Sequence, residues 1–183
     1  MSQPRRRKAA DPNARKPRSI ARMGAVQALY QMDLAGTDAG EVIEEFVSLR
    51  FAPPVPDADG VLSDDGEDAN NLEGADATFF AEILKGVVRR QREIDPLVDQ
   101  QLRTGWRLVR VDSILRAILR AGVFELMERS DVPARVTINE YINIAKAFFE
   151  ADEPKVVNGV LDRIAHKVRA GEFETPDEGS ASA

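Results

Sequence analysis

Residues 111–129 constrain the fold more than any other part of the sequence. Their apolar side chains recur at the three- and four-residue spacing of an α-helix and cover a wide stripe of its surface. The stripe consists of Ile114, Leu115, Ile118, Leu119, Gly122, Val123, Leu126 and Met127. A helix with so wide an apolar face is typical of a position between several neighbours. We therefore predict a core helix around which the rest of the chain packs.

Helical periodicity extends over most of the remaining sequence. Six further segments show it, namely 20–34, 41–51, 79–88, 94–102, 137–149 and 152–168. No segment alternates apolar and polar residues between turn signals, as a half-buried strand would. The sequence therefore predicts an all-α fold of seven helices and no sheet.

Two short motifs suggest where the last two helices begin. Thr137 and Glu140 have the spacing of a capping box, in which a hydroxyl and a carboxylate bind free backbone amides. Asp152, Glu153 and Pro154 combine an N-cap residue, an acidic first turn and an early proline. We expect one helix to start at each motif.

Three segments have too little apolar content to pack. Residues 1–17 are basic and polar and predict a disordered arm, and residues 171–183 predict a disordered tail. Residues 52–76 contain prolines, glycines and acids, which predicts a long acidic loop. The predicted folded domain is therefore 18–170, interrupted by this loop.

Charge is distributed very unevenly along the chain. The net charge of −6 argues against a nucleic-acid partner, yet residues 1–22 contain eight Arg and Lys residues and one Asp. Residues 52–78 contain eight acids and no base. Because binding depends on the local field, the basic start predicts affinity for phosphates. A solubilising tail is the alternative interpretation of the arm, and the acidic loop either tunes RNA affinity or is a solvated spacer.

The composition also argues against several classes of protein. The chain has no cysteine, and no apolar segment approaches the length of a membrane span or a secretory signal. Its one histidine, His166, has no triad or metal-site pattern around it, and no glycine-rich phosphate loop is present. We expect a cytoplasmic, non-enzymatic protein without a cofactor or metal site.

The first helix contains the best candidates for RNA contacts. Arg18 and Arg22 lie four residues apart on one helix face, and the amide of Gln27 and the ring of Tyr30 follow further along. Charge, amide and aromatic ring together suit phosphates and unstacked bases. Tyr30 is equally compatible with a half-buried core position.

Three other features have both a functional and a structural interpretation. Lys155 and Asn158, near the start of the last helix, suit a phosphate or base contact. The alternative is that Asn158 bonds a neighbouring backbone and Gly159 admits another helix. Trp106, at a helix junction, predicts a hydrophobic plug, and a base-stacking platform is the alternative. Gly122 has a structural interpretation only, a close helix–helix contact.

Several motifs, in this order, resemble the NusB family of bacterial transcription antitermination factors. They cover roughly residues 18–168 and comprise Arg18-x-x-x-Arg22-x-x-Ala25-Val26-Gln27-Ala28-Leu29-Tyr30-Gln31, Ile118-Leu119-Arg120, Phe124-Glu125-Leu126, Asp131-Val132-Pro133, Ile138-Asn139-Glu140, Ala145-Lys146-Ala147-Phe148 and Val157-Asn158-Gly159-Val160-Leu161-Asp162. The chain departs from the family pattern in its longer, more acidic segment 52–78 and in Val156, where the family often has an aromatic residue.

The resemblance implies seven helices in two small packed bundles. It also implies binding to the boxA element of nascent ribosomal RNA, together with the small-subunit ribosomal protein NusE, within the RNA polymerase antitermination complex. By this resemblance Arg18, Arg22, Tyr30, Lys155 and Asn158 fall on the RNA face. Asp152 falls where the family touches NusE.

Two other functions remain open from the residues. One is a helical adaptor acting mainly through protein contacts, and the other is a stand-alone relative of the RNA-binding domain of ribosomal RNA cytosine methyltransferases. The sequence also leaves open whether the free protein is a monomer or a homodimer.

Overall fold

The computed structural model describes residues 16–53 and 71–174. Within these ranges the chain forms six α-helices and no strand, so the all-α prediction is confirmed. The helices are α1 (Pro17–Ala35), α2 (Ala39–Glu45), α3 (Ala77–Asp99), α4 (Ser113–Glu128), α5 (Ala134–Phe148) and α6 (Glu153–Val168). A π-helical turn (Phe46–Arg50) extends α2, and 3-10 turns occupy Leu108–Arg110 and Ala170–Glu172. The Arg5–Lys8 cluster of the arm, residues 54–70 of the acidic loop and residues 175–183 of the tail lie outside the described residues.

The predicted count of seven helices is wrong by one in the described residues. The third and fourth predicted helices form the single helix α3, which continues through Pro96 and ends three residues later. Ile94 and Val98 are fully buried and prolong the apolar stripe of the first part of α3. Burial of this continuous stripe stabilises the helix past the point where the sequence pattern weakens.

Helix α4 lies at the centre of the molecule, as its wide apolar stripe predicts. It packs against α1 and α3 on one side and against α5 and α6 on the other. These five helices thus form two three-helix groups, α1/α3/α4 and α4/α5/α6, which share α4, and α2 packs on α1 and α3. Among the described residues, no helix has the length and apolar character needed to cross a membrane.

Two glycines allow α4 to approach its neighbours closely. A Cβ atom on Gly86 of α3 would lie 2.1 Å from the ring of Phe124 on α4. A Cβ atom on Gly122 of α4 would lie 2.9 Å from the side chain of Leu161 on α6, which confirms the close helix contact predicted there. Both contacts are too short for any residue other than glycine unless the packing shifts.

The chain on the C-terminal side of the acidic loop is fastened to α1. Leu72 is buried, and the backbone amide of Asp76 donates to the carbonyl of Pro17 at 3.1 Å. The carboxylate of Asp76 also accepts from the amide of Phe79 at 3.0 Å and so caps α3. The last six residues of the predicted loop are therefore part of the packed structure.

The start of α5 is capped from the end of the chain. The capping box predicted at Thr137 and Glu140 is wrong, because α5 already begins at Ala134. The amide of Ala134 instead donates to the carboxylate of Glu172 at 2.7 Å, and Arg169 donates to the carbonyl of Leu126 at 2.7 Å. Residues just after α6 thereby hold the α4–α5 junction.

Replacing Gly86 with alanine tests the contact between α3 and α4. We expect Gly86→Ala to lower the free energy of unfolding by about 1–3 kcal/mol, because the new methyl group overlaps the rigid ring of Phe124. Urea denaturation of the variant and the wild type measures the difference.

Gly159→Ala is the matched control, since its Cβ would meet only the flexible end of Arg163, at 3.3 Å. This variant should be neutral or more stable by up to about 1 kcal/mol, from helix propensity. Equal stability changes in the two variants would contradict the close approach at Gly86.

Candidate nucleic-acid interface

Arg22 lies in the interior between three helices. Arg22 is only 3% exposed, and its Nε donates to the two carboxylate oxygens of Glu125 on α4 at 2.9 and 3.2 Å. The carboxylate of Glu140 on α5 lies 3.8 Å from the same guanidinium. The pair therefore joins α1 to α4 and α5.

Hydroxyl groups complete the shell around this ion pair. Tyr141 and Thr137 donate to the carboxylate of Glu125 at 3.1 and 3.4 Å, and Ser19 donates to Glu140 at 2.9 Å. Burial, and then the negative charge of Glu125, raise the pKa of Tyr141 well above its usual range. Tyr141 therefore stays protonated and remains a donor.

Arg22 stays positively charged although it is buried. Burial lowers the pKa of Arg22, but the hydrogen bond and attraction to Glu125 outweigh it, and the net pKa is raised. The carboxylates of Glu125 and Glu140 thus have a partner on another helix, which sequence reasoning did not find. A buried, fully engaged guanidinium cannot reach an RNA phosphate in this conformation, so we revise the role of Arg22 from RNA contact to structural anchor.

Arg18 reaches the surface from the same helix face. The guanidinium groups of Arg18 and Arg22 both lie 4.9 Å from the ring centre of Phe79, but the side chain of Arg18 is 45% exposed. It lies 3.3 Å from the carboxylate of Asp131 and 3.8 Å from that of Asp76. Arg18 is therefore accessible and only loosely paired.

Asp131 is held mainly by another arginine. The Nε of Arg129 donates to its carboxylate at 2.9 Å. This hydrogen bond, together with the positive charges of Arg129 and the bond from Arg18, keeps the pKa of Asp131 well below its usual range. Asp131 therefore keeps a strong partner whether or not Arg18 contacts it.

Gln27 and Tyr30 line a groove near the end of α1. Both are half-buried, and the groove has a volume of about 390 Å³. Its other lining residues include Gln31, Arg50 and Phe148, and Gln31 and Arg50 also contact the carboxylate of Glu45 at 2.8 and 3.7 Å. The structure thus places the predicted aromatic and amide together, with a cation that the sequence gave no reason to select.

Lys155 and Asp152 lie side by side at the start of α6. Their side chains are exposed and form an ion pair at 2.8 Å, which lowers the pKa of Asp152 and raises that of Lys155. Asp152 occupies the N-cap position as predicted, but its side chain makes no capping hydrogen bond. Its carboxylate is instead directed to Lys155.

Asn158 is exposed one turn further along α6. Among the described residues its side chain makes no hydrogen bond, and a Cβ on Gly159 would meet only Arg163 of the same helix. The structural interpretation of this pair, a backbone bond and an approaching helix, is therefore wrong. Asn158 remains available as a surface amide.

Trp106 is not the hydrophobic plug that its position suggests. It is 48% exposed and lines two surface grooves next to Asp152 and Val156. The buried residue of this segment is Leu108, two positions later. His166, on the last helix, is exposed and stacks on Phe173.

The predicted residues form separate regions, two of which adjoin. Arg18 lies twelve residues before Tyr30 on α1, a distance of about 18 Å at the helical rise. The groove at Tyr30 includes Ile114, and a groove at Asp152 includes Leu115, so these two regions meet at the start of α4.

Comparison with known proteins identifies the relatives of this chain. Residues 19–166 match the NusB family. The chain is 53% identical over 152 residues to the transcription antitermination protein NusB of Allorhizobium ampelinum, covering 83% of this chain and 88% of that protein. It is 50% identical over 157 residues to the protein of the same name from Caulobacter vibrioides, covering 86% and 97%.

Solved structures show the same fold. The structure of T. maritima NusB aligns with a TM-score of 0.65 and 27% identity, over 88% of this chain and 100% of that one. A crystal structure of antitermination factors NusB and NusE in complex with dsRNA aligns with a TM-score of 0.62 and 25% identity, over 81% and 96%.

Arg22→Met tests the buried ion pair. The change keeps an unbranched apolar stem but leaves the carboxylate of Glu125 buried without its cation, and we expect it to lower the free energy of unfolding by about 3–5 kcal/mol. The same substitution at the exposed Arg18 should cost less than about 1 kcal/mol. Urea denaturation compares the two variants, and equal losses would contradict the interior position of Arg22.

The pH dependence of stability tests the ion pair of Asp131. Because the folded pKa of Asp131 is depressed below its ordinary value of 3.8, its stabilising contribution is present above about pH 4 and is lost as the pH falls below that. Asp131→Asn should therefore reduce the loss of stability between pH 5 and pH 3, measured by urea denaturation. An unchanged acid limb in this variant would count against the pair.

Proposed function

The chain belongs to the NusB family, and from this premise we propose that it is a transcription antitermination factor. It binds boxA-type single-stranded RNA together with the ribosomal protein NusE and joins the RNA polymerase antitermination complex. The observation that carries the proposal is the likeness to proteins of that name over nearly their whole length. The related complex of NusB and NusE with dsRNA supports NusE and RNA in general as partners.

Arg18 is the proposed phosphate contact on α1. Its two ion pairs are exposed, and exposed pairs contribute little to stability. A phosphate offers the guanidinium a charge-assisted, often bidentate hydrogen bond in place of these pairs. Because Asp131 keeps its bond to Arg129, releasing Arg18 leaves no buried charge unpaired.

Arg22 supports this contact without touching the RNA. Its bonds to Glu125 fix the first turns of α1 on the core, and Ser19, next to Arg18, is tied to Glu140. The backbone that carries Arg18 is therefore held in place before RNA binds. Such preorganisation lowers the entropy lost on binding.

The groove at Tyr30 is the proposed base contact. The ring of Tyr30 offers a stacking surface, Gln27 lines the groove beside it, and Arg50 adds a positive charge. These groups suit an unstacked base of single-stranded RNA. Lys155 and Asn158 extend the proposed RNA face to α6, and Asp152 is the proposed contact with NusE.

The adaptor function is separated from this proposal by one assay. An adaptor acting mainly through protein contacts should bind NusE but show no salt-dependent affinity for RNA. RNA binding measured with and without NusE decides between them, and sedimentation of the free protein decides whether a homodimer covers the RNA face.

Arg18→Gln tests the proposed phosphate contact. For single strands, each neutralised phosphate contributes about −0.7 to the slope of log affinity against log salt. We expect the variant to bind boxA-type RNA more weakly and with a slope flatter by about 0.7, measured by fluorescence anisotropy across a salt series.

Arg89→Gln is the matched control. Arg89 is exposed on α3, ten residues or about 15 Å from Phe79, so it removes the same charge at a distance from Arg18. Its slope should match that of the wild type. An unaltered slope in Arg18→Gln would remove Arg18 from the RNA face.

A further inference from the structure

We propose that Trp106 and the cations beside it form an additional site for single-stranded RNA, in which one unstacked base packs on the indole ring. The inference rests on the proposed RNA-binding function and extends it to the α3–α4 connection. The residues that would bind the flanking phosphates are Arg103, Lys155 and Arg163.

The segment that carries Trp106 is fixed from both sides. Leu108 is buried, and its amide donates to the carboxylate of Asp99 at 2.7 Å. The guanidinium of Arg116 donates to the carbonyl oxygens of Leu108 and Val109 at 3.3 and 3.2 Å. The exposure of Trp106 is therefore imposed by a well-anchored backbone.

The chain makes a tight turn just before Trp106. Gly105 has a φ of +88°, a conformation that favours glycine, and the amide of Trp106 donates to the carbonyl of Arg103 at 2.8 Å. Arg103 and Trp106 thus lie at the two ends of one tight turn. A phosphate on Arg103 and a base on Trp106 would be neighbours.

The indole forms a wall between two grooves. Grooves of about 420 and 600 Å³ both include Trp106 and Val156 among their lining residues. A tryptophan that filled a core would be covered on all sides, whereas this ring offers aromatic surface to solvent. Stacking on such a surface is the main sequence-tolerant contact of single-stranded nucleic acids.

The charges of the two grooves decide where phosphates would lie. The larger groove contains three cations, Arg103, Lys155 and Arg163, and one acid, Asp152. The smaller groove contains two cations and three acids, so it repels phosphates. The RNA backbone should therefore follow the larger groove, with a base against the ring.

The cations of the larger groove can reach a ligand. The side chain of Arg103 is exposed and makes no hydrogen bond or salt bridge with the described residues. Arg163 uses one nitrogen to bond the carbonyl of Gln101 at 2.8 Å, and Lys155 forms only the exposed pair with Asp152. None of the three would leave a buried partner unpaired on binding phosphate.

The site also continues the proposed RNA face. Lys155 belongs to both, and it lines the larger groove together with Trp106. A strand bound at Lys155 and Asn158 would thus reach Trp106 along the larger groove.

Intrinsic fluorescence gives a direct test, because Trp106 is the one tryptophan of the chain. Unlabelled boxA-type RNA is titrated while tryptophan emission is recorded, and affinity is measured separately by anisotropy of labelled RNA, with and without NusE. We expect the emission to be quenched with the same midpoint as the anisotropy change.

Variants distinguish stacking from an indirect change. Trp106→Leu should weaken RNA binding by roughly 5- to 100-fold, and Trp106→Phe should retain most of the affinity because it keeps a ring. Arg103→Gln should weaken binding, whereas the exposed control Arg89→Gln should not. Far-ultraviolet circular dichroism and thermal melting confirm that each variant is folded.

Each other outcome overturns the inference in a different way. If RNA binds but emission stays constant and Trp106→Leu binds like the wild type, this site is absent and the proposed function stands. If Trp106→Leu weakens binding of NusE and not of RNA, the surface belongs to the protein partner. If the wild type binds no RNA under either condition, the inference and the proposed RNA function both fail.

Discussion

The ion pair between Arg22 and Glu125 determines how the first helix sits on the molecule. Removing two charges from water is costly, and the cost is offset only when nearly every polar atom finds a partner. Here Thr137 and Tyr141 bond the carboxylate, and Glu140 approaches the guanidinium. The hydroxyls and both carboxylates come from α4 and α5, so the pair specifies one position of α1 against these two helices.

A second set of arginines fastens the opposite end of α1. Arg120 on α4 forms two bonds of 2.8 Å to Asp95 on α3, and it lies 3.4 Å from Asp33 on α1. Arg116, one turn earlier, also bonds Asp33 at 2.9 Å. Much of the positive charge of the chain is therefore paired with carboxylates of the protein itself. For this reason, a count of the basic residues overstates the extent of the RNA-binding surface.

The sequence predicted those features that depend on local periodicity. The wide apolar stripe of α4 predicts helices packed on several of its sides, and Gly122 predicts a close helix–helix contact. Neither pattern identifies the helices that pack there. The sequence predicts two helices where α3 is continuous, because the polar residues 89–93 interrupt the apolar pattern, whereas the burial of Ile94 and Val98 depends on tertiary packing.

The candidate site was only partly accessible to the same reasoning. Spacing correctly placed Arg18 and Arg22 on one face of α1, but which of them is buried depends on Glu125, about a hundred residues away. Likewise, Trp106 is exposed because Leu108 takes the buried position and Gly105 turns the chain. Neither the burial of Arg22 nor the exposure of Trp106 can be predicted from the composition of the surrounding sequence.

The sharing of α4 also determines how the molecule loses its structure. If α5 and α6 detached, one whole side of α4 would be exposed to water, and Glu125 would lose two of its hydroxyl partners. If α1 and α3 detached, the other side of α4 would be exposed to water, and Glu125 would lose its ion-pair partner Arg22. Because both halves bury apolar surface against α4, we expect them to open together as a single foldon, with the slowest amide exchange in α4.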